Sequence, residues 1–433
     1  LDSLSRRKIQ RLNEGITRFR LQKKQLLKKG RSQTPAETNV LREISAKLDS
    51  LENEYLKLLD EIDLQRPGYR HLVTVPDPNA DTAVQLLQPD EAILDFIPVQ
   101  RSSIKDETQY LILLIKRDGI KSHPVQITPD SLSALVLRLR NRIHRKLTAA
   151  EECRRLYQLI ISPFHKDLNG IESLILCPIG ALMYLSFSCL QDENGSDLLD
   201  QYRITQTHSI AAWILCRQQS SKKEAEKRCS VFAVGDPEAS DSSDRPTYVR
   251  NELRAVIEAF PGSREMSGNE FRKPDFILIP PGFNILHSAS QGKYLPSNPL
   301  NTRLFRTSAG EKNESLELRE VFGLPFRQCR LAVFSALDSS PNASDNGSEI
   351  SVLNEAFHYA GVPRILSTLW KTDDLATAVL IKRFYRYLHS GDPPALALQK
   401  AQQLVRDRIH RHPAYWAAFT LYGEAGGVLH QPK

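Results

Sequence analysis

The chain has 433 residues, 41% of them hydrophobic and 25% charged, which excludes a disordered chain and suits a globular protein of two or three domains. No apolar run approaches the roughly 18 residues of a membrane span, and the basic first 30 residues exclude a signal peptide, so we expect a cytoplasmic protein that binds no membrane. Six widely spaced cysteines without a C-x-x-C pair argue against a zinc site or a disulfide framework and favour buried, reduced thiols.

The formal net charge of +7 is concentrated at the start of the chain. Residues 1–31 hold eleven Lys or Arg against two acidic residues, or +9, which leaves −2 for the remainder. Residues 37–63 then hold eight acidic residues against three basic ones. A basic helix followed by an acidic one favours a self-complementary hairpin over nucleic-acid binding, so we expect no nucleic-acid partner.

The second of these helices has apolar residues at alternating steps of three and four, which is the seam of a coiled coil. The members of this seam are Leu41, Ile44, Leu48, Leu51, Tyr55, Leu58 and Ile62. A weaker seam runs from Ile9 to Phe19, and residues 30–35 supply the turn between the helices. We therefore predict a coiled-coil-like helical hairpin over residues 1–66. The hairpin suits the last piece of a longer helical array, which one pair of helices cannot show by itself. Because the chain begins at Leu1 rather than Met, we expect a fragment or processed form with sequence missing upstream.

Residues 67–147 are predicted to form the N-terminal α/β part of the main domain. The runs 92–99 and 110–116 are strand-like and are separated by a polar turn, so we expect them to pair at one edge of a sheet. Helices are predicted over 130–143 and, just beyond this part, over 149–160, because their apolar residues recur on one face.

From residue 173 onward, short apolar runs alternate with amphipathic stretches. The predicted strands are 173–178, 230–237, 283–290, 331–336 and 364–370. The predicted helices are 210–219, 248–260, 352–360, 375–389 and 395–409. This alternation indicates an α/β fold with a mostly parallel sheet flanked by helices, and we assign it to residues 148–427.

Two of these strands run directly into turns of small residues. Residues 331–340 read LAVFSALDSS, and residues 285–292 read ILHSASQG. In open parallel sheets, ligands and catalytic groups gather beyond the carboxyl ends of the strands, so we expect the functional site here. Nucleotide-binding loops, zinc-protease motifs and calcium loops are missing from the sequence, and we therefore expect neither a cofactor nor a metal.

Five motifs in this half of the chain, in the right order and spacing, resemble those of the CHAT domain family. They lie at 177–190, 287–292, 335–340, 356–374 and 412–423, the last reading HPAYWAAFTLYG. The family is caspase-like, is related to caspases and separase, and often accompanies tetratricopeptide repeats. The resemblance implies a caspase-like fold over roughly residues 150–425 and a cysteine peptidase ancestry.

The resemblance places the family's catalytic histidine at Gln291 and its nucleophilic cysteine at Leu337. Peptide cleavage of this kind needs a thiolate and an imidazole that activates it. A leucine side chain cannot attack a carbonyl, and an amide does not titrate near neutral pH. We therefore expect a catalytically degenerate homologue that binds a protein or peptide and acts as a binding or regulatory module.

Other side chains near the two positions offer poor replacements for the dyad. His287 is predicted to lie within a strand and to be a core histidine rather than a relocated base. Cys329 precedes its strand and should therefore lie at the opposite end from the site. Ser335 and Ser339 flank the cysteine position, where turn hydrogen bonding is the simpler role for their hydroxyls.

The resemblance also implies a pocket for a basic side chain. In separases the acidic residue at the position of Asp374 anchors such a side chain, and a carboxylate would pair with arginine there. Capping of the helix that follows is an equal alternative for Asp374 and the favoured role of Thr372 and Asp373. Further pocket candidates, all close to the two dyad positions, are Gly292, Ser335, Asp338 and His287.

Two other functions stay open on the sequence. The chain is an active cysteine endopeptidase if the dyad has moved, or if the correspondence with the family is shifted. It is an assembly scaffold if the N-terminal helices carry the function and the α/β domain supports them. Trp370 and Trp416 are predicted to be core aromatics rather than ligand platforms under any of these functions.

Overall fold

The computed structural model describes residues 8, 11–12, 15, 18–19, 22, 39–48, 50–51, 54, 57–58, 80–99, 110–223, 229–235, 249–267, 282–290, 292–293, 302–306, 315–321, 324, 326, 328–338 and 348–429. It comprises two compact units, Leu1–Pro76 and Asp77–Lys433. No helix of the described ranges combines the length and the apolar character needed to cross a membrane.

The described positions of the first unit are helical. Leu12, Leu48 and Leu58 are buried there, in agreement with the predicted seams. Gly15 packs against Leu51, whose Cδ1 atom lies 3.2 Å from where a β-carbon on Gly15 would stand. Two helical stretches therefore meet through apolar residues, whereas a coiled-coil register and the proposed domain boundaries stay predictions.

The second unit alternates strands and helices. Its strands are β1 (Glu91–Pro98), β2 (Tyr110–Lys116), β3 (Gly119–Val125), β4 (Ser173–Cys177), β5 (Arg203–Gln206), β6 (Val231–Gly235), β7 (Arg264–Ser267), β8 (Ile285–Ser288), β9 (Gly292–Lys293), β10 (Arg303–Arg306), β11 (Ser315–Glu317), β12 (Leu331–Phe334), β13 (Leu337–Asp338), β14 (Arg364–Thr368) and β15 (Phe419–Gly423). Its α-helices are α1 (Ala80–Leu86), α2 (Pro129–His144), α3 (Ala150–Ile160), α4 (Leu198–Gln201), α5 (Ile210–Lys223), α6 (Val249–Ala259), α7 (Leu318–Val321), α8 (Ser348–Tyr359), α9 (Asp374–His389) and α10 (Pro394–Arg408).

Eleven of the strands form one sheet, in the order β3-β2-β1-β4-β5-β15-β14-β12-β8-β6-β7. The pairs are parallel except for β1 with β2, β2 with β3, and β14 with β15. The sheet therefore contains two parallel blocks, one of β1, β4, β5 and β15 and one of β14, β12, β8, β6 and β7. The blocks run in opposite directions and meet at the β14–β15 pair, and β2 and β3 extend the first block as an antiparallel edge. The predicted fold class, a mostly parallel sheet flanked by helices, is confirmed.

The central strands are buried because their sequences are nearly continuous apolar runs. Every residue of β4, β6, β8, β12, β14 and β15 is buried, as a parallel sheet covered on both faces requires. Strand β3 has a different character, since most of its side chains are exposed and it contains Pro124. Proline and polar residues are tolerated at a sheet edge, where half of the backbone hydrogen bonds face solvent.

All six cysteines are buried and none forms a disulfide, as the sequence predicted. Cys329 lies just before β12, and its thiol lies 3.3 Å from the carbonyl oxygen of Leu331. This position is at the amino end of β12, so the prediction that Cys329 is remote from the carboxyl edge is confirmed.

The junction of the two blocks contains a glycine in a conformation that other residues avoid. Gly423 is the last residue of β15, it pairs with Arg364 of β14, and its φ angle is +91°. A β-carbon at this position would lie 2.2 Å from the carbonyl oxygen of Pro363 and 2.9 Å from Cε1 of His358. The close approach of the two backbones therefore depends on the absence of a side chain.

Candidate functional site at the carboxyl edge of the sheet

Strands β8 and β12 are parallel neighbours that end side by side, at Ser288 and Phe334. Just beyond this point the backbone N–H of Ser335 donates to the carbonyl oxygen of Ser288 over 3.1 Å. The Ser335 hydroxyl lies 3.5 Å from the same oxygen, and the residue is only 4% exposed. Its contacts are those of a turn hydroxyl rather than of an activated nucleophile.

A small second sheet begins where these strands end. Strands β9 and β13 are parallel, with Leu337 paired to Gly292 and Asp338 paired to Lys293. Gly292 is buried. Gln291 lies outside the described residues, yet the residue that follows it is the backbone partner of Leu337. The two stretches predicted to form the site are therefore brought together at this edge.

His287 lies in the core rather than at the edge. It belongs to β8, it is fully buried, and its Nδ1 atom lies 3.1 Å from the hydroxyl of Tyr385 on α9. Its Nε2 atom lies 3.1 Å from a carboxylate oxygen of Glu252 on α6. These contacts confirm a core histidine, and as a pocket candidate His287 has no side-chain surface to offer to a peptide.

Helix α9 begins beside this edge, and two neighbouring aspartates stand at its start. Asp373 is the N-cap, with a φ of −68° and a ψ of 133°, and its carboxylate accepts a hydrogen bond from the backbone N–H of Ala376 over 3.0 Å. Asp374 is the first helical residue and is exposed. Asp373 therefore occupies the N-cap, as predicted, and Asp374 follows it in the first turn.

The segment before this helix is held by an arginine that sequence reasoning missed. Arg140 lies on α2, is 3% exposed, and donates to the carbonyl oxygens of Tyr184 and Leu369 over 2.8 and 2.9 Å. Its guanidinium also lies 5.3 Å from the ring centroid of Tyr184 and 5.6 Å from that of Trp370. Arg140 thus joins the turn after β4 to the segment after β14.

The predicted core roles of both tryptophans are confirmed. Trp370 and Trp416 are 2% and 1% exposed. The indole N–H of Trp370 donates to the carbonyl oxygen of Ala414 over 3.4 Å, and that of Trp416 donates to the carbonyl oxygen of Arg411 over 3.1 Å. The first of these bonds joins the segment after α10 to the rim of the site, and the second lies within that segment.

A thiol–imidazole pair exists elsewhere in the core. The Cys216 thiol lies 3.4 Å from Nδ1 of His358, and both residues are buried. The same Nδ1 atom lies 2.8 Å from the carbonyl oxygen of Val362, which precedes β14. The pair therefore lies at the amino end of β14, away from the carboxyl edge and without access for a peptide.

The buried imidazole of His358 makes the stability of the folded protein sensitive to acid. Burial lowers the pKa of His358 from 6.5 to about 4, and burial also lowers the pKa of the neighbouring His208 to about 4. Between these values the unfolded chain binds more protons than the folded one, so stability falls as the pH drops below about 6.5. For His358 alone, we expect a loss of about 2 kcal/mol between pH 7 and pH 5.

Urea unfolding of the His358→Gln variant at both pH values measures this loss, because the variant should lose less stability on acidification than the natural chain. The exposed His165, changed to Gln, provides a control that should keep the natural pH dependence. Equal pH dependence in all three proteins would show that His358 does not titrate on unfolding.

Within the described ranges, no group of three or more His, Cys, Asp or Glu side chains is arranged to hold a metal ion. Among the described residues of the carboxyl edge, the polar groups include backbone N–H and C=O groups, the hydroxyl of Ser335 and the carboxylate of Asp374.

The model of the CHAT domain family matches residues 150–424. No curated protein matches the sequence.

Several solved structures are similar at low identity. The separase of the Saccharomyces cerevisiae separase–securin complex is 12% identical with a TM-score of 0.40, and the match covers 96% of this chain and 27% of that chain. The Arg-specific cysteine proteinase gingipain R is 9% identical with a TM-score of 0.42, over 68% of this chain and 74% of that chain. The RgpB pro- and mature domains of Porphyromonas gingivalis are also 9% identical with a TM-score of 0.42, over 69% and 77%. The chain thus spans 27% of the length of the separase chain.

Proposed function

Because the chain belongs to the CHAT family, we propose that it is a catalytically degenerate member, which binds a peptide or protein segment at the carboxyl edge of β8, β12 and β14 without cleaving it. A binding or regulatory module of this kind keeps the groove of a peptidase and lacks its chemistry. The proposal is carried by the resemblance of residues 287–292 and 335–340 to the family motifs, which aligns Gln291 with the family's histidine and Leu337 with its cysteine.

The loss of both groups is more consistent with binding than with slow catalysis. A nucleophile and its base act as a unit, so a chain without either retains only the contributions of binding and of backbone donors. The backbone pairing of Leu337 with Gly292 supports the correspondence with the family, because Gly292 directly follows Gln291 in the sequence.

Asp374 is the proposed anchor for a basic side chain of the bound peptide. Its position at the start of α9 is exposed, and Asp373 already caps the helix. A carboxylate at this rim suits a bidentate pair with an arginine of the ligand. Arg140 would act as a positioning residue, because it holds Leu369 and Trp370 just before this carboxylate.

Binding and cleavage are tested together with a library of labelled peptides that contain arginine. We expect the natural chain to bind a subset of them and to leave all of them intact by mass spectrometry. The Asp374→Asn variant should bind about ten-fold more weakly, since a charge-assisted pair contributes on the order of 1.4 kcal/mol. The Asp118→Asn variant removes an exposed carboxylate that pairs with Lys116, and it should bind like the natural chain.

The double variant Gln291→His/Leu337→Cys is the test of the lost dyad. Cleavage by this variant, blocked by a thiol alkylator, is the expected result. Cleavage by the natural chain would instead establish an active peptidase with a relocated dyad and would overturn the proposal. If no peptide binds, and association with a protein partner is abolished by Leu48→Asp in the N-terminal helices, the chain is an assembly scaffold.

A further inference from the structure

A basic surface lies outside the groove, where the end of α2 meets the segment after α10. Its cationic side chains are Arg145, Lys146, Arg408 and Arg411, all exposed. Two hydrogen bonds join the segments, one from Nε2 of His412 to the carbonyl oxygen of Leu147 over 3.0 Å, and one from Nζ of Lys146 to the hydroxyl of Tyr415 over 2.8 Å. Neither 131–150 nor 408–423 contains an acidic residue. The nearby carboxylates are Asp407, which interacts electrostatically with Arg408 and Arg411, and Asp373, which interacts with Lys146.

Lys146 holds a conformation that lysine rarely adopts. Helix α2 ends with a Schellman motif, in which the N–H groups of Lys146 and Leu147 donate to the carbonyl oxygens of Ile143 and Arg142 over 2.9 and 2.8 Å. The residue after the C-cap in this motif is usually glycine, because it must be left-handed. Lys146 has a φ of 54° and is the one non-glycine residue of the described ranges with a positive φ.

The strained lysine is fixed by an aromatic side chain. Its ammonium lies 4.6 Å from the ring centroid of Tyr415, and the imidazole of His410 stacks on this ring at 4.2 Å. The backbone N–H of His412 donates to Nδ1 of His410 over 3.0 Å, which holds the imidazole in place. The position of the charge is thus set before any ligand binds, which lowers the entropy lost on binding.

Exposed apolar side chains lie among these charges. Leu147 is 48% exposed and Ile409 is 42% exposed, and each is adjacent in the chain to a cationic member of the surface. A surface that mixes apolar and cationic groups fits an acidic protein segment with apolar residues better than it fits a phosphate backbone, which presents no apolar contact to a leucine.

We propose that the basic surface of Arg145, Lys146, Arg408 and Arg411 binds an acidic, leucine-containing segment of a protein partner. The lysine at a glycine position is the central observation, because glycine would complete the helix end without strain but would remove the charge. This proposal is independent of the groove, since the ligand contains no basic residue for Asp374.

The test is fluorescence anisotropy with the full chain and a labelled peptide of alternating Glu and Leu. A peptide of alternating Gln and Leu and a single-stranded oligonucleotide serve as competing ligands. We expect the acidic peptide to bind best and to lose affinity as salt rises from about 0.05 to about 0.3 M. The Lys146→Gly variant should bind about five-fold more weakly, with a Tm equal to or above that of the natural chain.

The Arg411→Gln variant provides a second loss of charge that does not touch the helix end, and it should weaken binding to a similar extent. The control variant Lys166→Gln changes an exposed lysine of another segment and should leave peptide affinity unchanged. The proposal is overturned if the neutral peptide binds equally well, if the oligonucleotide binds more tightly, or if both charge-removing variants bind like the natural chain.

Discussion

Replacing Gly423 with alanine is expected to lower the free energy of unfolding by at least about 3 kcal/mol. A left-handed backbone costs a residue with a β-carbon about 1–2 kcal/mol by itself. The new β-carbon would also stand 2.2 Å from the carbonyl oxygen of Pro363, a backbone atom that moves only if β14 moves. Because β14 and β15 join the two blocks of the sheet, the strain falls on the whole second unit.

Gly262 offers a matched control for this substitution. Its φ angle of +90° is almost the same, but nothing lies within 4 Å of the position of its β-carbon. Alanine at 262 should therefore cause only the conformational part of the loss, about 1–2 kcal/mol. Urea denaturation of both variants separates the two contributions, and equal losses would show that the contact with Pro363 relaxes without cost.

Replacing Arg140 with alanine is expected to destabilise the protein by about 3 kcal/mol and to weaken peptide binding at the groove. The substitution leaves two buried carbonyl oxygens, those of Tyr184 and Leu369, without the donors that the guanidinium supplies. It also removes the contact with the rings of Tyr184 and Trp370. The segment that leads to Asp374 then keeps the ring contact of His144 with Trp370 but loses its hydrogen bond to α2.

Arg138 on the same helix is exposed and is a suitable control, for which alanine should change stability by less than about 0.5 kcal/mol. Stability is measured by urea unfolding, and peptide affinity is measured under conditions where both variants are folded. If Arg140→Ala loses stability but keeps the affinity for arginine peptides, Arg140 supports the fold without positioning the groove.

The fold was predictable wherever burial imposes a regular apolar pattern. Strand β14 and helices α2, α9 and α10 were found with boundaries close to those observed, because apolar runs and helical periodicity follow directly from the covered sheet. Strand β3 was missed, since an edge strand has one solvated side and needs no apolar alternation. The opposite directions of the two parallel blocks were not predictable, because a buried strand needs the same apolar residues whether its neighbour is parallel or antiparallel.

The candidate site was predictable only in part. The meeting of residues 292 and 337 followed from the strand ends, and Asp373 as a cap followed from its place before an apolar helix. The burial of Arg140 could have been predicted from its spacing, since it lies four residues after Val136 and three before Ile143, on the buried face of α2. The left-handed conformation of Lys146 could not have been predicted, because such a conformation of a lysine has no signature in composition or spacing.

The position of β15 has a consequence for synthesis of the protein. This strand comes last along the chain but lies inside the sheet, between β5 and β14. Until residues 419–423 have been synthesised, β5 and β14 each have an unpaired backbone edge, and the first block lacks the strand that joins it to the second. Exposed edges of this kind pair with other chains, so we expect the nascent chain to be prone to aggregation until β15 inserts.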